Sequence, residues 1–336
     1  MSAFFSLRRR LSLFQAGLLL PAVLLLSGCG TQVRNALDVQ NDLNESLRYA
    51  QLGDAQDETK ARHWADLAVA VAPSNPDTYF GPRVPNPNDP LPPLSVYAVF
   101  AAVGDTPAVA DYMTQAVQKF PNDERGYELL ADAQNKLGQT AARKATAAKL
   151  AALLSAKLKA PGATDIQALT NALAQAYFDA GDTVNGTATY KKAIQAYPAD
   201  SDAMNGLAYA EALRGIALPE ALGLARQAVA LAQKKADAAD ATAADQDTLA
   251  GYQDTLGWVL YQQDSYAEAE QNELEAANEL PRLAEIRYHL GLIYVAEGKM
   301  DAAQSELRHA TLLSQGYAAA QQALDSLPKT AVAKSP

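Results

Sequence analysis

The feature that most limits what this chain can fold into is a period. Residues 256–269 read LGWVLYQQDSYAEA and residues 290–303 read LGLIYVAEGKMDAA, with Leu-Gly opening both stretches, Ala closing both and a polar turn between. Ala276 and Ala310 follow each closing alanine at the same interval, and Pro281 ends the first copy. Leu256 and Leu260, or Leu290, Ile293 and Tyr294, fall at the three-to-four spacing that lines one side of a helix. Glu297, Gly298 and Lys299 break that helix, and Ala303, Leu307 and Ala310 restart the spacing. Each copy is therefore a predicted helical hairpin. A lone hairpin cannot cover its own apolar sides, so the copies must stack into an array.

Residue size sets how they stack. Gly257 or Gly291 on the first helix and Ala269 or Ala303 on the second let two backbones approach, while Tyr294 and Leu307 fill the volume around them. With 49% apolar residues in 336, the chain has ample material to bury. The same ruler finds further copies towards the N-terminus. Leu173, Ala174, Tyr177, Gly181, Tyr190, Ala193 and Pro198 mark one over 167–200, and Leu207, Ala208, Gly215, Ala221, Ala225 and Ala228 mark the next, with a one-residue slip after Gly215. Phe100, Gly104, Ala116 and Pro121 mark 90–123, Leu130, Ala131, Gly138 and Leu150 mark 124–157, and a degenerate copy ends at Pro73.

Leu290-Gly291-x2-Tyr294 with Ala303-x3-Leu307, and Leu256-Gly257 with Ala269, Ala276 and Pro281, resemble the tetratricopeptide-repeat family. The resemblance implies an all-α fold, a right-handed α-solenoid of stacked antiparallel helix pairs. Glu273 stands where the family prefers an aromatic ring, which predicts a looser hairpin there.

The ends and interruptions divide the chain. Arg8, Arg9 and Arg10 precede an apolar run from Leu11 to Leu26, the layout of an export signal over residues 1–28. Leu26-Ser27-Gly28-Cys29 resembles the lipobox of bacterial lipoproteins, which implies lipidation of Cys29, and Gly30 after it implies sorting to the outer membrane. An ordinary secretory signal and an uncleaved anchor helix are the alternatives. Residues 29–39 read as a lipidated linker, 40–160 as N-terminal degenerate repeats, 165–317 as a C-terminal array and 318–336 as a capping helix with a frayed tail. The proline-rich stretch 74–95 reads as an extended insertion, Pro161-Gly162 as a break, and the Ala-rich, charged 233–248 as either a prolonged helix or a loop.

Chemistry is sparse. Cys29 is the only cysteine, so neither an internal disulfide nor a cysteine metal site is expected. His289 sits four residues after Glu285, but with no second His or Cys at ligand spacing the pair reads as a solvated ion pair or a stacking histidine, and neither metal nor cofactor is expected. Gly104-Asp105-Thr106 and Gly181-Asp182-Thr183 recur at one repeat position and read as hairpin turns, not phosphate loops. No Gly-x-Ser-x-Gly elbow marks a nucleophile, so no catalytic residue is assigned. Removing the signal takes three of 28 basic residues and none of 38 acidic ones, leaving a net charge of −13. Such a body is repelled by phosphate backbones and anionic lipids, which argues against nucleic acid as a partner and leaves membrane attachment to the lipid.

What remains is surface. By resemblance to the family, the second, fifth, ninth, twelfth and thirteenth positions of each repeat line a concave groove. Here they hold Asn171, Gln175 and Phe178, then Asn205 and Tyr209, then Asp254, Trp258 and Tyr261, then Tyr288 and Leu292. Rings and amides of this kind suit a bound peptide or partner helix, although each also suits packing between repeats. The expectation is an outer-membrane-anchored periplasmic scaffold or adaptor for other envelope proteins, in assembly, secretion, pilus biogenesis or polysaccharide export. The rivals are an envelope enzyme or a regulator of a peptidoglycan hydrolase, and a structural spacer.

Overall fold

The computed structural model describes residues 30–82 and 94–328, all helices and turns, with no strand among them. The expected signal, Cys29, residues 83–93 of the proline-rich stretch and residues 329–336 of the tail lie outside the described residues. No helix among those described is long and apolar enough to cross a membrane. The chain forms two compact units that meet at Gly186 and Thr187.

In the N-terminal unit, α1 (Gly30–Ala50) and α2 (Ala55–Val71) make the first hairpin. Leu43 on α1 is fully buried with Ala61, Ala65 and Ala68 of α2, an alanine column that lets the helices come close. The Ser46 hydroxyl donates across the pair to the Ala61 carbonyl at 2.7 Å. α2 also carries Trp64. The stretch expected to be extended begins instead with a helical turn, α3 (Pro76–Phe80), because Asn75 caps it and Pro76 occupies the first turn, where a missing N–H costs nothing. Its Tyr79 and Phe80 are buried and pack edge-on against Phe120. Gln40 of α1 then ties down the returning strand of chain, bonding both the N–H and the carbonyl of Leu94.

α4 (Val96–Ala102), α5 (Thr106–Lys119), α6 (Glu124–Lys136), α7 (Thr140–Lys159) and α8 (Ile166–Ala180) continue the unit. Gly104-Asp105-Thr106 is a turn, as expected: Gly104 has φ 74 and Asp105 caps α5 by accepting from the Ala108 N–H at 2.9 Å. The break at Pro161-Gly162 is a turn inside this unit, and Leu150, Ala151 and Leu154 pack across it against Leu173 and Ala176. The boundary between units falls in α9 (Thr183–Ala196).

The C-terminal unit stacks α10 (Ser201–Ala212) with α11 (Leu218–Ala236), α12 (Ala243–Gln262) with α13 (Tyr266–Glu279), and α14 (Ala284–Ala296) with α15 (Met300–Leu313), closed by α16 (Ala318–Asp325). The slip after Gly215 is absorbed by two left-handed residues, Gly215 at φ 63 and Ala217 at φ 48. Residues 233–248 do both things expected of them. α11 is prolonged to Ala236, a short turn follows, and a capping box between Thr242 and Asp245 starts α12.

Glu273 overturns one expectation. The hairpin of α12 and α13 is not loose: Glu273 is fully buried, and a Cβ on Gly257 would come within 2.9 Å of its Cγ. In the next hairpin Leu307 lies against Gly291 in the same way, at 2.7 Å. The carboxylate side chain thus fills the slot that a leucine fills one repeat later.

Candidate functional site

The side chains that carry polar chemistry in the C-terminal unit converge from α10, α12, α13 and α14. On α12, Asp254, Trp258 and Tyr261 fall on one face, and on α14 Glu285, Tyr288, His289 and Leu292 do the same. The rings form a continuous row. Tyr261 stacks on Trp258 with centroids 5.0 Å apart, Trp258 on His289 at 4.4 Å, and Tyr288 lies 5.7 Å from His289 and 5.4 Å from Tyr317. Tyr261, Tyr288 and Leu292 are half-buried and form its outer side, whereas Trp258 is only 7% exposed.

Beneath this row lies a cluster of ionisable groups. His289 Nδ1 is 2.7 Å from Asp254 Oδ1 and 3.6 Å from Glu273 Oε1, and all three residues are at most 2% exposed. Of the two sequence-based readings of His289, the stacking histidine holds, against Trp258, and the solvated partner of Glu285 is corrected: the imidazole is buried and its carboxylate is Asp254. Glu285 instead accepts the Tyr209 hydroxyl at 2.7 Å, which links α10 to α14. Burial opposes a charge on His289, but the Asp254 carboxylate outweighs it and holds the imidazole above its ordinary pKa. Burial, then the Asp254 charge, pushes the Glu273 carboxyl well above the usual range. Neither Glu273 oxygen has a hydrogen-bond partner, nor does Trp258 Nε1 or Asn205 Oδ1.

The residues expected to line a groove thus separate by depth. Asn205, Tyr209, Asp254 and Trp258 are buried among the helices of the C-terminal unit, with Tyr261, Tyr288 and Leu292 nearer solvent. Asn171, Gln175 and Phe178 stand on α8 in the N-terminal unit. Phe178 is buried at 2% exposure, its ring 2.7 Å from where a Cβ on Gly186 would sit, so it packs within its own hairpin. Asn171 and Gln175 are half-buried, and Gln175 donates to Asp179 at 3.1 Å. That unit also holds a cleft of about 350 Å³ lined by Arg62, Asp66, Asp111 and Tyr112. Its polar groups are engaged with one another, Arg62 with Asp111 at 3.1 Å and Tyr112 with Asp66 at 2.8 Å.

Sequence reasoning missed the Asp254, Glu273 and His289 cluster. Its members come from three helices, so no local ligand spacing exists. The one available signal was Glu273 itself, a charged residue at a packing position.

Residues 284–317, which contain α14 and α15, match the profile of the tetratricopeptide repeat. The chain contains a tetratricopeptide repeat. Among solved structures it is similar to a tetratricopeptide repeat protein from Parabacteroides merdae, at 14% identity over 86% of this chain and 98% of that one, with a TM-score of 0.46. It is also similar to a chain of the Cut9–Hcn1 hetero-tetramer of the APC/C, at 11% identity over 89% of this chain and 56% of that one, TM-score 0.42. YrrB, a TPR protein with an unusual peptide-binding site, aligns at 16% identity over 64% of this chain and 99% of that one, TM-score 0.34. No curated protein sequence matches the chain.

Proposed function

We propose that the protein is a non-enzymatic scaffold of the bacterial envelope. In this reading it is held on the periplasmic face of the outer membrane by lipid on Cys29 and binds other envelope proteins or peptides through its C-terminal repeats. The observation that carries the binding role is the ring row from Tyr261 to Tyr317, whose Tyr288, His289 and Tyr317 lie in the matched tetratricopeptide repeat. Stacked rings offer apolar area with few rotors left to freeze, the property that makes Tyr and Trp the common anchors of interfaces. Tyr261, Tyr288 and Leu292 supply the contact, and Trp258 and His289 hold those rings in place from below.

The test is a photo-crosslinking amino acid placed at Leu292 in intact cells. A discrete adduct is expected, reduced about tenfold by Tyr261→Ala or Tyr288→Ala, a loss of ~1.4 kcal/mol in binding at each position. An unchanged adduct in both variants, with unchanged melting temperatures, would remove this row from the binding role.

A further inference from the structure

We propose that Asp254, Glu273 and His289 form a binding site for one divalent transition-metal ion of the zinc type. The three residues offer an imidazole nitrogen and carboxylate oxygens that all lie within 4.8 Å of one another, and all three are buried. Histidine nitrogen and carboxylate oxygen are ordinary zinc donors, with bonds of about 2.0–2.2 Å, which sets neighbouring donors on a tetrahedral ion roughly 3.3 Å apart. The separations of 2.7 Å and 3.6 Å from His289 Nδ1 straddle that value. Side-chain shifts of a few tenths of an ångström, on the order of ordinary rotamer relaxation, bring the donors into place.

Glu273 supplies the second, separate argument. Packing does not need a carboxylate at this position, since Leu307 occupies the corresponding place against Gly291. Yet both oxygens of Glu273 are buried without a well-formed hydrogen bond, and the polar groups they face, Asp254 and His289, are the other members of the cluster, an arrangement that costs free energy unless something compensates it. The other two members break the repeat in the same sense: at the 34-residue interval, Asp254 corresponds to Tyr288 and His289 to Thr255. Three departures from the repeat therefore meet at one point. An ion there takes one oxygen of Glu273, one of Asp254 and Nδ1 of His289 as its three protein donors. On binding, it takes the place of the protons that Glu273 and His289 otherwise hold, which leave as it enters, with Glu285 already engaged by Tyr209. Trp258, stacked on the imidazole, closes the site from the side of the ring row and excludes water.

Because the donors are enclosed, the ion enters when α12 and α14 part or when the chain folds, and the experiment loads it accordingly. The full-length mature chain is stripped with chelator in urea, refolded with one equivalent of Zn²⁺ or Co²⁺, and dialysed. We expect one ion retained per chain, visible d–d bands for Co²⁺, and a raised melting temperature. Retention falls at least about 100-fold in Glu273→Gln and His289→Gln, where a ligand is lost. Glu273→Leu restores the residue type used at Leu307, so this variant folds without metal at least as stably as the metal-free parent and retains no ion. Failure of the parent to retain a stoichiometric ion overturns the proposal and leaves a cluster that holds protons only. Equal retention by Glu273→Leu overturns it too, by placing the ion on surface carboxylates.

Discussion

Gly291 has no room for a methyl group. A Cβ there would lie 2.7 Å from Leu307 Cγ and Cδ2, so alanine must push the helices of that hairpin apart. Alanine gains about 1 kcal/mol over glycine in helix propensity, but overpacking a tight core costs about 1–3 kcal/mol. Gly291→Ala is therefore expected to lower stability in urea denaturation, against the propensity trend. Glu211 makes a different residue-scale prediction. It is 3% exposed, one of its oxygens has no partner, and burial followed by the charge of Glu220 raises its pKa to about 7. The folded state thus favours the protonated acid. That preference is fully present below the ordinary carboxylate pKa near 4.5 and is lost as pH rises through about 7. Glu211→Gln should match the parent's melting temperature at acid pH and exceed it at pH 8. Equal melting temperatures at both would show Glu211 to be solvated.

At the scale of helices and turns, Ala217 sits at φ 48, a conformation that costs an L-residue about 1–2 kcal/mol. Ala217→Gly should stabilise the chain by roughly 0.5–1 kcal/mol after the extra freedom of an unfolded glycine is deducted, measured as a shifted urea midpoint. Thr242→Ala should cost about 1 kcal/mol by removing the hydroxyl that helps start α12. The hairpins were legible because each writes its close contact as a small residue and its turn as glycine or aspartate. Gly104 and Asp105 were read correctly on that basis. The helical turn at Pro76–Phe80 was not, because proline content argued for extended chain while the Asn75 cap and a proline in the first turn allowed a helix. The depth of Trp258 and Asp254 was hidden for another reason. Repeat position specifies which helix face a residue is on, but not how far the neighbouring hairpin covers it. The buried cluster was illegible for the same cause, since its three members belong together only once α12, α13 and α14 are packed.

For the whole molecule, removal of the expected signal would leave a net charge of −13, which disfavours anionic surfaces, so the membrane interaction in the proposed function rests on Cys29 alone. Cys29→Ser should leave the protein uncleaved or in the soluble fraction, because acylation needs the thiol. Normal processing and unchanged membrane fractionation would sink the lipid anchor. The division into two compact units also bears on measurement. The chain's only two tryptophans fall one in each, Trp64 on α2 and Trp258 on α12. Single Trp→Phe replacements consequently turn intrinsic fluorescence into two independent optical gauges. Emission curves recorded side by side through one denaturant series would reveal whether both halves melt cooperatively or one survives the other, with no added dye or label.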